Sequence, residues 1–175
     1  MVGRSRRTRP RVKALIVCVL LVLTPAATLA RDAAALTLAG KWTTTDPPIN
    51  LMHIDFGEIN SNGEAVGYHH RANGADPDGA RVVQIVQPPD ANGIYRARVV
   101  LRHPATGVWI SKKAPSTFYP DVMSDPEVVE AVLAAFHNGH LRNDGEFVGA
   151  SGRGFVIAGW YQNGRINAAY PLRGP

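Results

Sequence analysis

The single cysteine of this chain, Cys18, lies inside an apolar run from Ala14 to Leu23, so everything after residue 30 must fold without a disulfide. The residues before the run are basic: Arg4, Arg6, Arg7, Arg9, Arg11 and Lys13, with no acid among them. Pro25 ends the apolar stretch, and Thr28-Leu29-Ala30 offers small residues where a signal peptidase reads. Basic, apolar and small, in that order, is a secretory signal peptide. The apolar stretch is shorter than the ~20 residues of a membrane span, which argues against an uncleaved anchor. Residues 1–30 are therefore read as a cleaved signal peptide, giving a secreted or periplasmic protein with no membrane segment after signal removal. The rest, about 145 residues, is long enough to bury a sizeable core of its own.

Removing that segment changes the charge argument. Six of the 19 basic residues lie in it, leaving 13 against 14 acids. The basic balance of the whole chain is thus no sign of a nucleic-acid binder, and any such site must be a local patch. With Cys18 gone, thiolate nucleophiles and cysteine-ligated metals are excluded as well.

Residues 31–48 read as an N-terminal lead-in, of which Thr43–Pro48 has the composition of a linker, and residues 49–175 as one domain. Arg81–Val86 is a β-branched run, and Asn92-Gly93 signals a turn. Tyr95, Ala97, Val99 and Leu101 alternate with Arg96, Arg98, Val100 and Arg102, the period of a half-buried strand. Ala105-Thr106-Gly107 turns the chain back into Val108–Lys112. Ser124 and Glu127 form a capping box, with Pro126 in the first turn. Val128, Val129, Val132, Leu133 and Phe136 then line one helical face up to Asn138-Gly139. A last hairpin, Phe155–Tyr161 and Arg165–Tyr170, turns at Asn163-Gly164. One helix followed by antiparallel hairpins predicts an α+β fold.

The 6 histidines, His53, His69, His70, His103, His137 and His140, all follow the signal. Histidine exchanges protons near neutral pH, and two of them flanking a phosphodiester can serve as base and acid. A metal set of His53, Asp55, Glu58 and His69 is chemically reasonable for zinc or manganese, although no HExxH motif supports it. His137 and His140 sit at a helix end, where a solvated loop is expected. There is no GxSxG elbow for a serine hydrolase.

His53-Ile54-Asp55-Phe56-Gly57-Glu58-Ile59-Asn60 followed by Gly67-Tyr68-His69 resembles the start of the bacterial EndoU nuclease domain. The likeness continues through Gly93-Ile94-Tyr95-Arg96-Ala97-Arg98-Val99, a lysine at 112 or 113, Pro115-Ser116-Thr117-Phe118-Tyr119-Pro120, Ser151-Gly152-Arg153-Gly154 and Ala169-Tyr170-Pro171. This resemblance implies an EndoU, ribonuclease-A-like fold, with small antiparallel sheets forming a cleft beside one or more helices. It implies RNA cleavage by 2′-OH attack, leaving 2′,3′-cyclic phosphate and 5′-OH ends, with no cofactor and no metal. His53 and His69 are the implied proton carriers; His69 is preferred to His70 because it directly follows the Gly-aromatic pair. Tyr170 matches a site tyrosine, and Ser116 and Thr117 match polar residues of the cleft. Some members carry a lysine where this chain has Ala72, so Lys112, Arg71 and Lys113 are the candidate cations. Arg98, with Arg96 and Arg102, offers phosphate contacts, or simply a solvated face. Tyr68, Tyr170 and Trp160 are candidates for stacking on bases. A secreted ribonuclease suits a toxin, which implies an immunity partner. Ala72 and Ala168, where some members have polar residues, keep open an RNA-binding module with little or no catalysis. A metal-dependent phosphodiesterase is a third reading.

Overall fold

The computed structural model describes residues 40–174. The signal-peptide reading, Cys18 and the first half of the lead-in lie outside the described residues. A five-residue helix α1 (Leu51–Asp55) leads into a small ribbon of β1 (Glu58–Ile59) and β2 (Ala65–Val66). A 3-10 turn (Ala72–Gly74) precedes β3 (Ala80–Gln87), β4 (Tyr95–Arg102), β5 (Trp109–Ser111) and β6 (Ser116–Phe118). Helix α2 (Asp125–Asn138) follows, then β7 (His140–Leu141), β8 (Glu146–Ala150), β9 (Val156–Gln162) and β10 (Arg165–Leu172). The fold is α+β, with small antiparallel sheets as the EndoU resemblance implies. Among the described residues, no helix is long and apolar enough to cross a membrane.

Two sheets carry two cores. In the first sheet β4 is central. It pairs with β3 along one edge, and along the other with β6 at its beginning and β5 at its end, all antiparallel. The alternation read from the sequence holds: Tyr95, Ala97, Val99 and Leu101 are buried while Arg98 and Arg102 are exposed. Their inner face packs on Tyr68, Ala65 and Phe118, with the Phe118 ring stacked on Tyr95 at 4.9 Å and edge-on to Tyr68 at 5.1 Å.

The second sheet runs β10-β9-β8-β7 and packs against α2. The capping box at Ser124 and Glu127 forms as expected, and Val128, Val129 and Val132 are buried in this core. Each fully buried valine contributes about 1.5–3 kcal/mol. Gly139 ends the helix, but in extended rather than left-handed backbone (φ −96°). Close packing explains it: a Cβ at Gly139 would lie 2.4 Å from the Ala135 carbonyl oxygen, and one at Gly149 only 2.0 Å from the same atom. Asn163 and Gly164 both take positive φ in the β9–β10 turn, as the Asn-Gly signal predicts.

The linker reading of Thr43–Pro48 is corrected. Thr43 is buried; its N–H donates to the Ile49 carbonyl at 2.9 Å, and its Oγ1 accepts from the Ile49 N–H at 2.8 Å. The segment is a closed turn that delivers Ile49 to a parallel bridge with Ile166 of β10. Helix α1 and strands β1, β2, β6, β7 and β8 had no counterpart in the sequence reading. α1, β1, β2, β6 and β7 have only two to five residues and β8 is interrupted by Gly149, too little for periodicity to register.

Candidate active site

Helix α1 and the loop after β2 meet through backbone hydrogen bonds. The N–H of Tyr68 donates to the His53 carbonyl at 2.8 Å, and those of His69 and His70 donate to the Ile54 carbonyl at 2.6 and 3.1 Å. The end of a short helix, with its unpaired carbonyls, is thereby closed by the Gly-Tyr-His-His loop. Gly67 is required here. Its φ is +77°, and a Cβ would lie 2.3 Å from the His53 carbonyl oxygen. Tyr68 also adopts positive φ (60°), a strained state for a bulky residue that costs about 1–3 kcal/mol. Its buried ring and a 2.5 Å hydrogen bond from its hydroxyl to Asp76 hold it there. This clamp brings the His53 and His69 rings to 6.1 Å between centroids.

His69 Nδ1 lies 2.8 Å from the Thr117 carbonyl oxygen. A carbonyl only accepts, so Nδ1 carries the hydrogen and Nε2 is left with a lone pair. Burial, followed by the nearby positive charges of Lys112 and His53, holds the His69 pKa well below the ordinary histidine value. Tyr170 of β10 stacks on the His69 ring at 5.3 Å.

His53 is held differently. Its Nδ1 meets Glu58 Oε1 at 3.1 Å, and the other Glu58 oxygen accepts from Lys41 Nζ at 2.7 Å. The hydrogen bond to His53, and then Lys41, lower the Glu58 pKa to about 2. A carboxylate only accepts, so Nδ1–H is the donor there and Nε2 is left free of Glu58.

Lys112 follows β5 and extends its ammonium to Ser116 Oγ at 2.7 Å and to the Gly67 carbonyl at 3.0 Å. Burial lowers its pKa to about 8. His53, His69, Lys112, Thr117 and Tyr170 share one open cavity of about 440 Å³, together with Arg96, Trp160 and Ala168.

Other sequence candidates lie elsewhere. Ser116 is fully buried and donates to the Gly67 carbonyl at 3.1 Å, so it seats Lys112 and does not face the cavity. Arg71 is turned away, with Nε 2.8 Å from Asp76 and Nη1 3.4 Å from the Tyr95 hydroxyl. Lys113 is exposed and pairs with Glu64. Arg98 stands on the solvent face of β4, outside the cavity lining. His137 and His140 are exposed, as expected of a solvated helix end.

The metal set read from the sequence is not assembled, since Asp55 bonds His70 at 2.9 Å and His69 Nδ1 is taken by Thr117. Asp55, His70 and Asp125 do bring ligand atoms within 4.8 Å of one another. Both His70 nitrogens are already engaged there, Nδ1 by Asp55 and Nε2 by the Met123 carbonyl at 2.9 Å. Two acceptors require two N–H groups, so His70 is a buried imidazolium that ties α1 to the segment before α2.

Three contributors were not marked as site residues from sequence. Arg96 was one of several alternating arginines, and only its position opposite Thr117 in the β4–β6 register puts it at the cavity. Glu58 stood out only as a metal ligand, and Lys41 carried no signal.

Residues 50–173 match the bacterial EndoU nuclease family. A protein of Bacillus cereus named as a toxin is 32% identical over 126 residues, which is 71% of this chain and 22% of that protein. No solved structure matches. The matched span takes in both facing histidines, the buried lysine and the stacked tyrosine, and this chain belongs to the bacterial EndoU nuclease family.

Proposed function

We propose that this nuclease is an endoribonuclease cutting RNA through its own 2′-hydroxyl, with His69 as general base and His53 as general acid. The observation carrying this reading is the difference in what each Nδ1 meets: a backbone carbonyl at His69 and a carboxylate at His53. His69 Nε2 takes the 2′-OH proton as that oxygen attacks the adjacent phosphorus. The Lys112 ammonium neutralises charge growing on the non-bridging oxygens. His53 Nε2–H gives its proton to the departing 5′-oxygen. The products are a 2′,3′-cyclic phosphate and a 5′-OH end, and the two histidines have exchanged protonation states. Trp160 and Tyr170 are the planar groups beside the cavity for a base to stack on. No step uses a metal.

Export and a toxin role belong to the same proposal. The basic-apolar-small order of residues 1–30 supports export, and the name of the Bacillus cereus relative supports a toxin, hence an immunity partner. The chain spans only 22% of that relative, whose other parts have no counterpart in the match.

A timed digestion of uridine-containing RNA in EDTA tests the chemistry. Cyclic-phosphate ends, absent with His53→Ala and His69→Ala, are expected. Cleavage that EDTA abolishes would replace this mechanism with a metal-dependent one. RNA retarded but intact would leave a binding module.

A further inference from the structure

Charge on this molecule is unevenly distributed. Arg71, Arg142 and Arg153 are each bound to carboxylates. On the outer face of the β3–β6 sheet the arginines have no such partner. The register puts Arg81, Arg96, Arg98 and Arg102 on that face together with Gln84, Gln87, Trp109 and Thr117. None of the four strands contains an Asp or Glu. Among the described residues, Arg81, Arg98 and Arg102 make no ion pair, and Arg96 reaches only Gln87, at 3.5 Å. Arg81 instead sits over Trp109, its Cζ 4.3 Å from the ring centre, reaching across β4 to do so.

In a domain with slightly more acids than bases, a face of arginines free of carboxylates is a local positive patch that attracts an anionic partner. Its position says which. Arg96 and Thr117 belong both to this face and to the cavity lining, so the face begins where the cavity ends. Arg96, Arg98 and Arg102 then continue along β4 for about 20 Å at ~3.3 Å per residue. At the far end the Arg81 guanidinium over Trp109 adds a planar cation of the kind on which unpaired bases stack.

We propose that the outer face of β3–β6 is a track for the single-stranded RNA flanking the scissile phosphate, entered at Arg96 and running over Arg98, Arg102 and the Arg81–Trp109 pair. This rests on the cavity being an RNA-cleaving site. The track binds backbone phosphates, so it adds affinity for length rather than for sequence.

The test is binding alone. A fluorescent RNA oligomer carrying 2′-O-methyl groups, which cannot attack its own phosphates, is titrated with the protein and with the triple variant R81Q/R98Q/R102Q over a range of KCl. Three fewer phosphates are neutralised by the variant. At ~0.7 for each phosphate on a single strand, the slope of log affinity against log salt is expected to fall by about 2. Affinity at low salt should drop on the order of ten-fold, and R81K/R98K/R102K should restore the slope. Equal melting temperatures confirm that the variants fold. An unchanged slope overturns the track, as does a triple variant that keeps its RNA affinity while losing affinity for an acidic polypeptide. Because no cleavage is read, an uncut substrate in the digestion above sinks the catalytic reading without deciding this one.

Discussion

His53 and His69 lie 6.1 Å apart, yet one rests against a carboxylate tied to an exposed lysine and the other against a backbone carbonyl in a buried wall with a second cation. A carbonyl fixes which nitrogen carries the hydrogen without adding charge. A carboxylate does the same and also sets a negative charge beside the ring. Two copies of one side chain, sixteen positions apart, are thus given unlike surroundings: a negative charge at His53 Nδ1, and at His69 a neutral carbonyl within a buried wall.

The largest effect should come from the histidines themselves. His69→Ala and His53→Ala are each expected to slow cleavage of ordinary RNA by ~10²–10⁴-fold. A uridine 3′-(4-nitrophenyl phosphate) separates the two, because its leaving group departs without a proton. His53→Ala should keep most of its rate on that ester and His69→Ala should not; the reverse pattern exchanges the roles of the two walls.

Lys112→Ala should cost ~10²–10³-fold in kcat, the usual range for removing one group that stabilises an oxyanion. Lys112 is charged below its pKa of about 8 and neutral above it. The profile of kcat/KM against pH should therefore fall through that value as pH rises, and Lys112→Arg should push the falling limb upward. A limb that stays put in the arginine variant assigns it to another group.

Glu58→Gln keeps the shape of the His53 support and removes its charge. A loss on RNA is expected, with little change on the nitrophenyl ester, because the charge-assisted hydrogen bond that orients His53 is weakened. Equal losses on both substrates would mean that Glu58 holds the fold and not the proton.

The smallest effect concerns stability. His70, donating to Asp55 and to Met123, has its pKa raised by those bonds against the cost of burial. Burial also pushes the Asp55 carboxyl upward, but two acceptors at His70 favour the ion pair, so the imidazolium is the state that matters. A histidine pKa raised by folding adds stability in full below the unfolded value of about 6.5 and loses it as pH rises through the folded value. Urea unfolding should show that decline on the alkaline side, and His70→Gln should flatten it.

Strand β4, helix α2 and the β9–β10 hairpin were legible because each states its structure locally, through alternation, a capping box or an Asn-Gly turn. Helix α1 was not, since five residues stabilised by a loop from positions 67–70 have no pattern of their own. The same divide runs through the site. His53, His69, Lys112, Thr117 and Tyr170 came with the EndoU likeness and converge on one cavity. Arg71 and Lys113 resembled free cations in sequence because Asp76 and Glu64, which neutralise them, are recruited by the fold. Ser116 looked like a cleft residue, but the inward side of β6 is set by its pairing with Ala97.

Strand β10 supplies Tyr170 and Ala168 to the cavity and also receives Ile49, just before the helix that carries His53. The beginning and the end of the domain are therefore neighbours in the finished molecule. On the ribosome, His53 and His69 emerge about a hundred residues before the strand on which their surroundings depend. The cleft cannot be completed until synthesis of the domain is nearly over, so each nascent chain lacks the finished cleft for most of its own translation.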